Sequence, residues 1–327
     1  MDSPSSKNEP GRRLALALWV GAGLLGVVVG GIAGLGVAAL AFAPLGALVG
    51  EAARRMWRPM FVEPLRMAEE ESSAWRAQQS DPGKVHGKAI GVFVTSALCL
   101  TLLEYVGMSN RYVVVVDILR SLHLDGAAAW LEVAMREQIN RLTWWALWCV
   151  VSYLVIPAFV VVAIFREDLR DYGFRVKGAF DDAWMYGVFL MVMIPTAIVV
   201  SADPHFQSTY PFYDMAPGES VWPNLVRWEL LYFLQFLSLE FFFRGFMVHG
   251  TRERLGALSV FAMMVPYCMI HFGKPMPETV GAVIAGAVLG SLSLRTRSIW
   301  LGVCIHTTIA LGMDVASLLR QGLLGGG

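Results

Sequence analysis

The sequence predicts an all-α, polytopic membrane protein with about eight or nine transmembrane helices, and three observations carry that expectation. Of 327 residues, 56% are hydrophobic and only 16% are charged. Several uninterrupted apolar runs reach the roughly 20 residues that a helix needs to cross a bilayer. Lys and Arg gather in alternate loops, which sets an orientation by the positive-inside bias. The formal net charge is zero, so no overall field draws the chain to nucleic acid, and the lipid bilayer is its expected surroundings. Cys99, Cys149, Cys268 and Cys304 all fall in apolar runs without CxxC or Cys/His ligand spacing and read as packing residues. The first apolar run is far longer than a signal h-region, so no cleavable signal peptide is expected.

The elements follow in order. Residues 1–13 are polar and end in Arg12-Arg13. The Gly-rich run from Leu14 to about Gly50 is too long for one untilted span, so two short helices turning near Gly30-Gly31 or Gly34 to Gly36 are expected, with one long tilted helix as the alternative. Arg12, Arg13, Arg54, Arg55 and Arg58 place both ends of that hairpin in the cytoplasm. Residues 51–88 alternate charges with Met56, Trp57, Met60, Phe61 and Leu65 and carry Pro59, Pro64 and an Asp81-Pro82-Gly83 turn signal. That is the pattern of an interfacial segment without a fold of its own. A span at about 89–108 leads to residues 109–140, where β-branched residues mix with charges, as in amphipathic pieces on the outer surface.

A Trp-rich span at 143–165 returns to a cytoplasmic loop marked by Arg166, Arg170, Arg175 and Lys177, and another span covers about 183–201. The loop from Asp203 to Pro223 has aromatics, prolines and acids but no Lys or Arg, as an outer loop should. The last four spans fall at roughly 226–248, 257–273, 279–294 and 299–318, separated on the cytoplasmic side by Arg252-Glu253-Arg254 and Arg295-Thr296-Arg297. Parity closes with a cytoplasmic N-terminus and an external C-terminus. Three stretches result: 1–88, a membrane hairpin with an interfacial segment; 89–178, two spans with an outer connection; and 179–327, a C-terminal core. No internal repeat supports an inverted-repeat transporter.

Polar residues are concentrated in that core. Glu240 and Arg244 interrupt the apolar run Ser238-Leu239-Glu240-Phe241-Phe242-Phe243-Arg244-Gly245, four residues apart and so on one helix face, with Glu first, the better order for an ion pair. An intramembrane carboxylate is a functional-site hypothesis by default; the plainer reading is a buried pair that locks helix packing. Glu229 lies eleven residues before Glu240 on the same face, near the membrane boundary, and reads as an interfacial acid. Tyr267 and His271 are one turn apart, Glu278 follows, and Asp314 stands eight residues beyond His306, roughly on its face. A carboxylate beside a neutral imidazole can take a proton from water, and a second imidazole can donate to the oxyanion of an attacked carbonyl. One Glu and two His are also a zinc-ligand set, but the His-Glu-x-x-His helix signature is absent, and no metal or cofactor is expected.

Glu240-Phe-Phe-Phe-Arg244-Gly245, Tyr267-x-x-x-His271 and His306 resemble, in order and spacing, the motifs of the CAAX-protease and bacteriocin-processing family of intramembrane endopeptidases. The resemblance covers roughly residues 180–318. It implies peptide-bond cleavage by glutamate- and histidine-activated water near a membrane-embedded or lipidated tail, in a multi-pass protein of the bacterial inner (plasma) membrane, with membrane proteins or peptides as partners. Sorting-type members, which process C-terminal membrane tails, belong to the same family.

Carried over by position, Glu240 matches the second motif glutamate, Arg244 the arginine, His271 the histidine that helps activate water, and His306 the last-motif histidine, the oxyanion donor. Three positions depart. The first motif glutamate falls on Leu239, and Tyr267 stands where the family usually has Phe. The acid or amide expected four residues after His306 is Ala310, which leaves Asp314 as the nearest acid. Three readings stay open: Glu240 is itself the base, Glu278 replaces the missing acid, or the protein is an inactive membrane scaffold or partner-binding protein. By helical rise, Glu240 and His306 fall in the cytoplasmic half of the membrane and His271 near the outer end of its span. Convergence then requires a tilted helix broken at Pro266, or a protein-lined loop at 271–275.

Overall fold

The computed structural model describes residues 51, 55, 57–79, 87–274 and 276–324. The expected hairpin between Leu14 and Gly50 and the Asp81-Pro82-Gly83 turn lie outside the described residues. Among the described residues no strand forms; the sole β feature is an isolated antiparallel bridge between Phe174 and Ser298.

Ten helices organise the described chain. They are α1 (Glu63–Gln78), α2 (Gly87–Gly107), α3 (Tyr112–Ser121), α4 (Asp125–Ala134), α5 (Gln138–Phe165), α6 (Ala183–Val200), α7 (Asn224–Leu255), α8 (Leu258–Met269), α9 (Met276–Thr296) and α10 (Trp300–Arg320). Six of them are long and apolar enough to cross a membrane: α2, α5, α6, α7, α9 and α10. With the shorter apolar α8, they account for the seven spans expected after residue 88. The protein is a multi-pass, all-α membrane protein.

The helix α7 is the axis of the bundle. Its apolar window is 72% buried, against 12% for α6 and 44% for α9 and α10. A chain surrounded on all sides can be apolar all round, and this one is: Phe241, Phe242, Phe243 and Phe246 are each fully buried. They pack with Tyr153 of α5, Val92 and Cys99 of α2, Val260 and Met263 of α8, and Ile299 in one continuous core. α5 and α10 flank the N-terminal half of α7, α6 packs on α10, and α8 pairs with α9. Gly245 and Gly250 let the loop after α5 come close, because a Cβ on Gly245 would sit 2.5 Å from the Tyr172 carbonyl oxygen. Gly173, at φ +94°, then accepts a hydrogen bond from the Ile299 N–H at 3.0 Å, which ties that loop to the start of α10.

Residues 109–140 form α3 and α4, two amphipathic helices that share Val116, Ala128, Leu131 and Met135 as a small core. The segment after residue 57 folds as α1 against the C-terminal turns of α7. Ser72 Oγ donates to the Glu253 carbonyl at 2.9 Å, and the Arg297 guanidinium meets Glu71 at 2.5 Å. Arg76 lies 2.7 Å from Glu69 and, with the Ala257 N–H, holds the Glu69 carboxyl below its usual range. Lys88 joins Glu167 at 2.8 Å and Glu253 at 3.3 Å. These contacts lie on the side that the basic loops assign to the cytoplasm. On the opposite side, Glu219 accepts from the Tyr213 hydroxyl at 2.5 Å and from the Ala216 N–H at 3.0 Å, which lowers its carboxyl, the tyrosine contributing most.

Candidate active site

Every residue from Ser238 to Gly250 is buried, so Glu240 and Arg244 sit inside the apolar axis. Arg244 Nη1 lies 3.1 Å from Glu240 Oε1, and His306 Nδ1 of α10 lies 2.8 Å from the same oxygen. Both contacts have ion-pair distance but lack the alignment of a full hydrogen bond. Both Glu240 oxygens and all three Arg244 guanidinium nitrogens are therefore buried without a hydrogen-bond partner. Unused capacity of this kind is uncommon in folded proteins, and it is what a site that takes up a polar group of water or substrate needs.

The approach of α10 to Glu240 depends on Gly302. A Cβ at that position would lie 2.7 Å from the Glu240 Cδ and closer still to Oε2, so only glycine admits the carboxylate. His306, one turn further on, stacks on Phe236 with ring centroids 5.4 Å apart and planes at 8°. That stacking fixes the imidazole plane. Its side chain is 17% exposed against 1% for Glu240, so the imidazole is the more accessible of the two.

His306 Nε2 lies 3.1 Å from the Tyr267 hydroxyl, and Arg244 Cζ lies 4.1 Å from the centre of the Tyr267 ring. Tyr267 in turn connects to His271: the Tyr267 carbonyl is 2.9 Å from His271 Nδ1, and the two rings are 5.0 Å apart. Helix α8 is short. With 12 residues it is about 18 Å long, well short of the about 30 Å of a hydrocarbon core. It ends at Met269, and a turn through Gly273, at φ +90°, follows. The short helix brings Tyr267 against Phe243 and Arg244 of α7 and His306 of α10, while His271 meets Tyr267. His271 is linked to the Glu240 cluster through Tyr267.

The remaining acids have other partners. Glu278 is 2.6 Å from Lys274 and accepts from the Tyr210 hydroxyl at 3.2 and 3.3 Å. Asp314 is fully buried two turns beyond His306, where Trp228 Nε1 donates to it at 3.3 Å. Glu229, read from sequence as interfacial, is half-buried and within hydrogen-bonding reach of Asp314. Leu239 faces the apolar core at 7% exposure. Among the described residues no three His, Cys, Asp or Glu side chains group as they would around a metal ion.

Sequence reasoning passed over Gly302, Phe236 and His249. His249, buried at 3%, lies 3.0 Å from Ser293 Oγ and 3.0 Å from Arg252 Nη1, a polar link between α7 and α9. Tyr267 carried a signal, its one-turn spacing from His271, but not its contact with α10.

Residues 221–312 match the family model of Rce1-like, type II CAAX prenyl endopeptidases. Glu240, Arg244, Tyr267, His271 and His306 all fall within the matched CAAX-endopeptidase-like segment, and Asp314 lies just beyond it. No curated protein and no solved structure matches the chain.

Proposed function

We propose that the protein is an endopeptidase of the bacterial inner membrane that cleaves a membrane-embedded or lipidated protein tail with water. The carrying observation is the buried Glu240 carboxylate in contact with His306 and Arg244, with unused hydrogen-bonding capacity at its oxygens. In this reading Glu240 and His306 act as one acid–base couple that draws a proton from water, and Arg244 orients Glu240 and balances its charge. His271, on the far side of Tyr267, is the second imidazole; its Nδ1–H is held by the Tyr267 carbonyl, so it donates to the oxyanion of the attacked carbonyl from Nε2 in its protonated, imidazolium form. Asp314 supports the pairing of α7 with α10 through Trp228. The C-terminal stretch 179–327 carries the chemistry, and α2 and α5 of the stretch 89–178 help to hold it in the bilayer.

The division of labour differs from the one expected by position. His306, given the oxyanion role there, is the imidazole that touches Glu240 at 2.8 Å, and its second nitrogen is engaged by Tyr267. His271 has its contacts with Tyr267 instead.

The test uses the full chain in proteoliposomes with two reporters: a peptide ending in a farnesylated Cys-aliphatic-aliphatic-X tail, and a peptide ending in an apolar membrane tail. New C-termini are read by mass spectrometry. Cleavage of either one, lost in His306→Ala, is expected. Intact reporters at long incubation, or equal cleavage by His306→Ala, would reject the reading.

A further inference from the structure

Three polar groups, buried Glu240 and Tyr267 and half-buried His306, meet in series across three helices. Glu240 Oε1 of α7 is 2.8 Å from His306 Nδ1 of α10, and His306 Nε2 is 3.1 Å from the Tyr267 hydroxyl of α8. A carboxylate 2.8 Å away favours the proton on Nδ1 by its charge, even without hydrogen-bond alignment, and in that tautomer Nε2 is the acceptor and the tyrosine O–H donates to it. The order is carboxylate, imidazole, hydroxyl.

The tyrosine is held as firmly as the histidine. It is 2% exposed; Phe243 meets its ring edge-on at 5.2 Å, and Arg244 covers the face at 4.1 Å. On α9, Gly286 lies so close that a Cβ there would be 3.1 Å from Tyr267 Cδ1. A cation over the ring favours negative charge building up on the phenol oxygen as its proton leaves. His306 Nδ1 is buried and faces Glu240 without an aligned hydrogen bond, and Nε2 is the nitrogen that meets Tyr267, so a proton reaching Nε2 passes through the tyrosine hydroxyl. The hydroxyl oxygen of Tyr267, with lone pairs still available, is the next atom in the series after Nε2.

We propose that Tyr267 is a catalytic residue whose hydroxyl relays protons between the attacking water and His306. The proposal rests on the endopeptidase reading. As the water oxygen bonds to the scissile carbonyl carbon, one water proton passes to the Tyr267 oxygen, and the tyrosine proton passes to His306 Nε2. This leaves an imidazolium beside the Glu240 carboxylate and an oxyanion on the substrate. When the C–N bond breaks and the carbonyl re-forms, the imidazolium proton returns to Tyr267, and the tyrosine proton goes to the departing amine. Every group regains its starting protonation, and no further reactant is consumed.

The experiment compares the full-length protein with Glu240→Gln and Tyr267→Phe in proteoliposomes on whichever reporter the unmodified protein cleaves, with thermal unfolding followed in parallel. The relay predicts that Tyr267→Phe lowers kcat by about a hundredfold or more with KM nearly unchanged and unfolding temperature preserved. As a second variant, 3-fluorotyrosine at position 267 keeps the shape but is a more acidic phenol. It should move the alkaline limb of the kcat profile to lower pH, a shift that a merely structural ring would not produce. Cleavage lost in Glu240→Gln but kept within about threefold in Tyr267→Phe, with an unmoved pH profile, would overturn the relay and leave the endopeptidase reading standing. Absence of cleavage by the unmodified protein, or full activity of Glu240→Gln, would overturn the endopeptidase reading and the relay with it.

Discussion

Glu240 of α7 and Glu278 of α9 each face a cation four residues away, Arg244 after the one and Lys274 before the other, yet their surroundings are opposite. The side chain of Glu278 is 30% exposed, it lies 2.6 Å from Lys274, and both its oxygens accept from Tyr210. The side chain of Glu240 is 1% exposed, its partners stand at contact distance without alignment, and both oxygens keep unused capacity. Satisfied and wet describes a residue that fastens a surface turn. Buried and unsatisfied describes one that is retained at a cost in stability, which makes sense where a reacting group is to be bound.

Breaking each side of this comparison should have very different effects. The largest is expected at Arg244. Arg244→Ala would leave Glu240 as an uncompensated charge in the core, with a loss of about 3–5 kcal/mol that chemical unfolding in detergent would register. A smaller effect is expected from Gly302→Ala, which forces the Glu240 carboxylate away from α10. Overpacking at such a contact costs about 1–3 kcal/mol, and cleavage should fall even where the protein still folds. Activity equal to that of the unmodified protein would mean that the Glu240–His306 contact is not needed. Smaller again is Glu278→Gln, which breaks a partly exposed pair worth at most about 1 kcal/mol and should leave cleavage unchanged. Loss of cleavage there would instead make Glu278 the base.

The smallest effect concerns pH on the outer loop. Because the Tyr213 hydroxyl lowers the folded carboxyl of Glu219, its stabilisation is present above the ordinary Glu range, about pH 4.3, and is lost as pH falls through the lower folded value. Thermal unfolding from neutral pH down into the acid range should therefore show a decline that is shallower in Tyr213→Phe. Equal declines in both proteins would remove Glu219 from the acid sensitivity of the loop.

Much of the architecture was legible because the bilayer imposes simple lengths and charge patterns. The spans at 89–108, 183–201 and 299–318 correspond to Gly87–Gly107, Ala183–Val200 and Trp300–Arg320. The pairing of Glu240 with Arg244 was legible for the same reason, since helical spacing alone puts both on one face. What spacing along one helix cannot give is the relation between helices. Glycine 302 has no side chain to announce itself, and its role exists only because α10 lies against the carboxylate of α7. The contact of Tyr267 with His306 spans 39 residues and exists only because α8 and α10 both pack on α7. Asp314 lies on the His306 side of α10 by periodicity, but two turns of rise carry it to Trp228.

The central claim is that the Glu240–His306 couple activates water for peptide cleavage, and Glu240→Gln tests it most directly. The substitution keeps volume and removes the charge. In proteoliposomes with the farnesylated and apolar-tail reporters, the account predicts cleavage by the unmodified protein and a fall in kcat of at least about a hundredfold in Glu240→Gln, with the protein still folded and inserted. Cleavage by Glu240→Gln at the unmodified rate would contradict it.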